Sequence, residues 1–163
     1  TLSSLFLLSA KTPLDFEPGI KYKYSNAGIN TAARIIEVVS GKSFEQFLNE
    51  RMFKPLGMKD TTFWPDDAQA ARIAKSYKPG PNNMGLAETT IDQVQYPLTD
   101  RTNRLPLPAG GLFSSAAVLA RFSHMVARGG ELDGHRYLSE AAVKQMTSPT
   151  PPAELPARNC LVA

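Results

Sequence analysis

The stretch that decides the fold is "PGIKYKYSNAGINTAARIIEVVSG", residues 18–41. Ile29, Ala32, Ala33, Ile36 and Val39 recur at the spacing that gathers side chains on one helical face, which predicts a helix over 26–40. Ser25 or Asn26 can cap its start, because a short polar side chain accepts a hydrogen bond from a free backbone N–H there. Gly41 stands where a left-handed residue closes a helix. Upstream, Pro13, Pro18 and Gly19 mark a loop. Tyr24-Ser25-Asn26 then has two readings. It is a helix cap with a tyrosine packed beside it, or it is a catalytic tyrosine with a substrate-holding asparagine. A tyrosine works as a general base only where cations draw its pKa down from about 10. Lys21 and Lys23 stand close in sequence, which does not by itself supply that field.

Downstream, Ser43 with Gln46 three residues on forms a capping-box pattern, and Phe44, Phe47, Leu48 and Met52 make an apolar face, so 43–53 is predicted helical. Pro55 ends it, and Leu56-Gly57-Met58 turns the chain. Asp60 to Trp64 is short, rich in threonine and aromatic residues, and fits a strand. Periodicity is weak over 65–108. "SYKPGPNNMG" reads as a turn cluster, and Ile91 to Leu98 as one short strand. "PAGGLFSS", residues 108–115, leads into a helix over 115–128 with Val118, Leu119, Phe122, Met125 and Val126 inside. Gly129-Gly130 stop that helix. Asp133-Gly134 is a turn, and 139–147 is a last helix with Val143 and Met146 inside.

Composition narrows the function classes. The 163 residues are 42% apolar and 20% charged, enough for one core. The net charge of +3 is spread among mixed signs, without the basic block that nucleic-acid binding needs. Leu5-Phe6-Leu7-Leu8 is too short to span a bilayer and reads as the end of a helix. A chain that opens inside a helix, at Thr1, is expected to be an internal piece. Cys160 is the lone cysteine, so no internal disulfide is predicted. His124 reads as solvent-facing and His135 as a turn residue, and no metal site or organic cofactor is predicted. Trp64 is expected to pack, and Ser114 and Ser115 to cap a helix. The whole chain, 1–163, is expected to be one partial domain with an irregular proline-rich tail over 149–163.

Six linked segments carry a resemblance. Pro18-Gly19, Tyr24-Ser25-Asn26, Ser40-Gly41 and Pro55-Leu56-Gly57-Met58, followed by "PAGGLFSSAAVLARF" and "GGELDGHRYLSEAAVKQMTSP", resemble the serine β-lactamase-related family. That family takes in class C β-lactamases, D-Ala-D-Ala carboxypeptidases of the penicillin-binding type and related esterases. The resemblance covers about residues 13 to 150. It implies a helix-rich α+β fragment: the helical subdomain and lid of that fold, with most of the central antiparallel sheet missing. It implies that Tyr24 helps deprotonate a serine nucleophile and later protonates the leaving group. Asn26 would hold the substrate carbonyl, and Ser25 would be a spacer and cap. Ala109, Gly110 and Gly111 would form a pocket wall. For the two glycines, a plain loop is the equal alternative. Tyr24 and Asn26 would then face a concavity shared with 109–111. The substrate would be a β-lactam, a D-Ala-D-Ala peptide or a small ester, and the location periplasmic or extracellular.

The nucleophile is not in this chain. The family uses Ser-x-x-Lys, one helical turn that sets a lysine beside the serine hydroxyl. No lysine here has a serine three residues before it: Lys11 follows Leu8, Lys42 follows Val39 and Lys144 follows Ala141. The third family motif, Lys-Thr-Gly or His-x-Gly, is absent too. Lys11-Thr12-Pro13 lacks the glycine, and Gly134-His135-Arg136 lies in a turn. The resemblance places one motif before Thr1 and the other after Ala163, so this chain alone is expected to be inactive. The rival reading is a non-catalytic binding or regulatory module, or an inactive truncated homologue. Oligomeric state is left open by the sequence.

Overall fold

The structure, a computed structural model, describes residues 2–17, 20 and 23–148. The predicted Pro18-Gly19 turn and the 149–163 tail with Cys160 lie outside them. Helix α1 (Leu2–Ala10) lies against α2 (Asn26–Ser40), and α2 against α3 (Phe44–Leu48). The Ser25 hydroxyl accepts from the Gly28 N–H and so caps α2. Gly41 closes it at φ 68°, its N–H returning to the Glu37 carbonyl. Ser43 and Gln46 form the capping box reciprocally. Beyond Leu48 the same rod widens into a π-helical turn over Asn49–Phe53, so the predicted 43–53 helix is present with an altered last turn.

The core forms where α3 and the π turn meet the loop after them. Phe44, Leu48, Phe53, Leu56, Met58 and Phe63 are buried together with Met125 and Leu132. The rings of Phe44 and Phe63 sit 6.1 Å apart at 55°, a tilted pair of the kind aromatic quadrupoles favour. Polar side chains tie down the Pro55–Met58 turn by pairing its backbone carbonyls. Arg121 Nε donates to the Leu56 carbonyl, and the Tyr137 hydroxyl to that of Pro55 at 3.0 Å. Arg121 belongs to α5 (Ala116–Ala127), and Tyr137 follows a small hairpin, β3 (Glu131–Leu132) with β4 (His135–Arg136). Helix α6 (Glu140–Thr147) adds Val143, capped by the Ser139 hydroxyl.

The middle of the chain departs from the sequence reading. A short helix α4 (Asp67–Ala70) precedes a hairpin, β1 (Ser76–Pro79) paired antiparallel with β2 (Leu86–Thr89). The segment "SYKPGPNNMG" is therefore a strand and its turn, with Asn82 and Asn83 both left-handed. The strand expected within 91–98 is instead a 3₁₀ turn over Asp92–Val94. The strand expected over 60–64 shrinks to one bridge, Thr62 with Phe113. These strands pair as an isolated ribbon with no buried face: β1 is mostly exposed and β2 alternates only between exposed and half-buried, with its leucine on the exposed side, so no apolar alternation marks the strands in sequence.

Three apolar faces are only half used. On α2, Ala33 is buried and Ile36 partly so, but Ile29, Ile35, Val38 and Val39 are exposed, Val39 at 82%. Leu119 on α5 and Met146 on α6, both expected inside, are exposed as well. Among the described residues, no helix is long and apolar enough to cross a membrane.

Candidate active site

Tyr24 and Asn26 stand at the start of α2, held by the Ser25 cap between them. The Ser25 backbone is extended (φ −147°, ψ 116°) while its hydroxyl engages the first helical turn. The flanking side chains are thus fixed by the geometry of the cap. The Tyr24 hydroxyl donates to Asn26 Oδ1 at 2.8 Å. That bond uses the amide oxygen and leaves the Nδ2 edge, with its two N–H donors, for a carbonyl. The tyrosine is 67% exposed, on the surface and not in the packed core. Lys23 beside it pairs with Asp15 at 2.6 Å, pointing its charge at a carboxylate.

The predicted loop wall also forms a concave surface. Ala109, Gly110 and Gly111 line a cavity of about 240 Å³. Gly110 has φ 87°, a conformation that side chains resist. A Cβ on Gly111 would lie 2.6 Å from the Leu107 carbonyl oxygen, so only glycine fits there without a shift. Neither Tyr24 nor Asn26 lines this cavity. The five predicted residues therefore fall into two groups, Tyr24 with Asn26 and Ala109 with the two glycines.

Asp92, Gln93, Asn103 and Arg104 are among the other residues of its wall. Sequence reading passed over them because 65–108 lacks periodicity; an arginine seven residues before Gly111 is the signal it offered. Asp100 orders this corner. Its Oδ2 accepts from the Asn103 amide at 2.7 Å, and its Oδ1 from the backbone N–H groups of Thr102 and Asn103. The Asn103 side chain, these backbone donors and, more weakly, the Arg104 charge hold the Asp100 carboxyl below the ordinary carboxylate range.

The serines after the glycine loop do not behave as predicted caps. Ser115 occupies the position before α5, but its hydroxyl donates to Asp60 Oδ2 at 3.2 Å, a charged acceptor that outcompetes the helix turn. Ser114 bonds Thr61 at 2.8 Å. Asp60 also takes Arg72 through both oxygens, at 3.3 and 3.1 Å. Arg72 first, then Ser115 and Gln69, hold its carboxyl below the usual range. Trp64 packs, as expected, with its Nε1 donating to Glu45 at 3.0 Å and Arg101 over its ring at 4.5 Å. His124 and His135 are exposed.

Comparison with known proteins places these features in context. The Beta-lactamase family model matches residues 6–159. Penicillin-binding protein 4 of Amycolatopsis lactamdurans is 32% identical over 133 residues, covering 81% of this chain and 33% of that protein. Lovastatin esterase of Penicillium rubens is 34% identical over 77 residues, covering 46% of this chain and 19% of the esterase. A solved penicillin-binding protein homologue from Caulobacter crescentus aligns with a TM-score of 0.67 at 22% identity, over 90% of this chain and 42% of its own. At that identity the likeness shows the fold alone. This chain thus spans a third or less of the length of these two curated relatives.

Proposed function

Because the chain belongs to the Beta-lactamase family, we propose that it supplies the acid/base and substrate-anchoring part of a serine hydrolase that works through an acyl-enzyme. Tyr24 takes the proton from a serine of a Ser-x-x-Lys turn lying outside this chain. The serine oxygen attacks an amide or ester carbonyl, and Tyr24 returns the proton to the leaving group. Asn26 Nδ2 donates to the substrate's carbonyl, and 109–111 wall the pocket. Water then releases the acyl group. The substrate is a β-lactam, a D-Ala-D-Ala peptide or a small ester, the classes named among the family's members.

One observation carries this reading: the 2.8 Å bond from the Tyr24 hydroxyl to Asn26 Oδ1 on an exposed helix start. Two side chains that served only to cap and pack would not need to meet in solvent, since Ser25 alone caps the helix. The test is acylation. A protein carrying this chain together with an upstream Ser-x-x-Lys should gain a covalent adduct from fluorescent penicillin or from p-nitrophenyl acetate, on that serine, in intact-mass spectra. No adduct with either reagent returns the chain to a non-catalytic role.

A further inference from the structure

We propose that the outer edge of β2 (Leu86–Thr89) is an interface between two copies of this chain, joined as antiparallel strands about a two-fold axis at Ala87. The inference goes beyond the hydrolase reading and does not depend on it.

The hairpin register decides which backbone groups face outward. Tyr77 stands opposite Glu88, Lys78 opposite Ala87 and Pro79 opposite Leu86. Beyond Pro79, the Gly80 N–H donates to the Gly85 carbonyl at 3.1 Å, so these two glycines form a hydrogen-bonded pair. Along an antiparallel ladder such pairs alternate with pairs whose N–H and C=O groups point away from each other. Lys78 and Ala87 are therefore bonded across the hairpin, while Tyr77, Pro79, Leu86 and Glu88 turn their backbone groups outward. Among the described residues the sheet ends at these two strands, and the Leu86 and Glu88 N–H groups donate to no acceptor.

The two edges are not alike. On β1 an outward position is taken by Pro79, which has no N–H to offer, and proline is a usual guard of a strand edge. The β2 edge has no such guard. Its one charge, Glu88, is paired with Lys75 at 2.8 Å, and Leu86 beside it is 75% exposed. An open, unguarded edge is a template for another strand.

The sequence of β2 suits its own copy. With the axis at Ala87, Leu86 lies opposite Glu88 of the second copy, and Glu88 opposite its Leu86. These are the residues whose backbone groups face outward, so each pairing exchanges two N–H···O=C bonds. Ala87 meets its own counterpart between them, at a non-bonded position where Cα atoms approach to about 4.5 Å and a methyl side chain fits. No like charges stand directly opposite each other, the arrangement that would oppose pairing. A β1 edge in the same place would present proline where a donor is needed. The contact uses the same patch on both copies, so it closes on itself as a dimer.

The test is amide hydrogen exchange of the full chain, followed by NMR at a series of concentrations. The Leu86 and Glu88 N–H groups should exchange more slowly as concentration rises. Where dimer predominates, the free edge falls as the square root of concentration, so about a hundredfold rise should slow both about tenfold. The Tyr77 N–H, on the guarded edge, should stay fast. Glu88→Pro keeps the bonds inside the hairpin, because that N–H points outward, and should abolish the concentration dependence at Leu86. Glu88→Gln keeps the donor and should retain it. Exchange at Leu86 and Glu88 that does not change with concentration would overturn the interface. So would equal slowing at Tyr77, or a folded Glu88→Pro chain in which Leu86 still responds. The wild-type comparison needs no variant, so a misfolded Glu88→Pro does not decide the matter. Association through the exposed face of α2 alone would leave all three amides unchanged, and that result counts against the β2 edge.

Discussion

At the scale of single residues, capping and chemistry are divided between neighbours. Ser25 carries the cap, and Tyr24 and Asn26 are bonded to each other outside it. Substitutions should therefore separate the two roles. Ser25→Ala should cost about 1 kcal/mol of stability, the usual loss for an N-cap hydroxyl, measured by urea denaturation. Asn26→Ala should leave that stability unchanged and slow acylation in a protein that also carries the nucleophile. A large stability loss in Asn26→Ala would make it a structural residue. Gly111→Ala is the sharper steric case. Its Cβ must push on the Leu107 backbone, 2.6 Å from the carbonyl oxygen, and overpacking of this kind costs about 1–3 kcal/mol. Thermal melts that match the wild type would show that the loop yields freely.

At the scale of elements, Asp60 joins three segments: its own loop, Arg72 beyond α4, and Ser115 ahead of α5. Its folded pKa lies below the ordinary value of 3.8. A depressed carboxylate pKa gives stability that is present above the unfolded pKa and is lost as pH falls through the folded one. Asp60→Asn should therefore lower stability near neutral pH and flatten the acid limb below about pH 4. A variant whose acid limb overlays the wild type would mean that these contacts contribute nothing measurable, a common fate of exposed pairs. Elements with strong local signals were legible in sequence. Asn26–Ser40 and the Ser43-Gln46 box were readable because caps and periodicity are written within a few residues. The β1–β2 hairpin was not, since Tyr77, Met84 and Leu86 face solvent and leave no alternation to find. Ser115 shows the same limit in the site. The cap pattern is local, but the Asp60 carboxylate that captures its hydroxyl lies 55 residues away.

At the scale of the molecule, one compact core holds the turn Pro55–Met58, and a second apolar surface is left open. Ile29, Ile35, Val38 and Val39 on α2, with Leu7 on α1, are exposed. Apolar patches of this kind drive association. The 163-residue chain should therefore self-associate in sedimentation velocity, and Val38→Lys with Val39→Lys should shift it towards monomer. The chain contains no Ser-x-x-Lys, so alone it should hydrolyse neither nitrocefin nor p-nitrophenyl acetate above a Tyr24→Phe control. The central claim is that Tyr24 moves the proton for a serine supplied from outside this chain. The measurement that meets it most directly is kcat for p-nitrophenyl acetate in a protein carrying this chain together with an upstream Ser-x-x-Lys, wild type against Tyr24→Phe. A loss of about 100-fold or more, the scale of a missing general acid/base, is the predicted result. A Tyr24→Phe enzyme with near-normal kcat would contradict it and return Tyr24 to a place beside the helix cap.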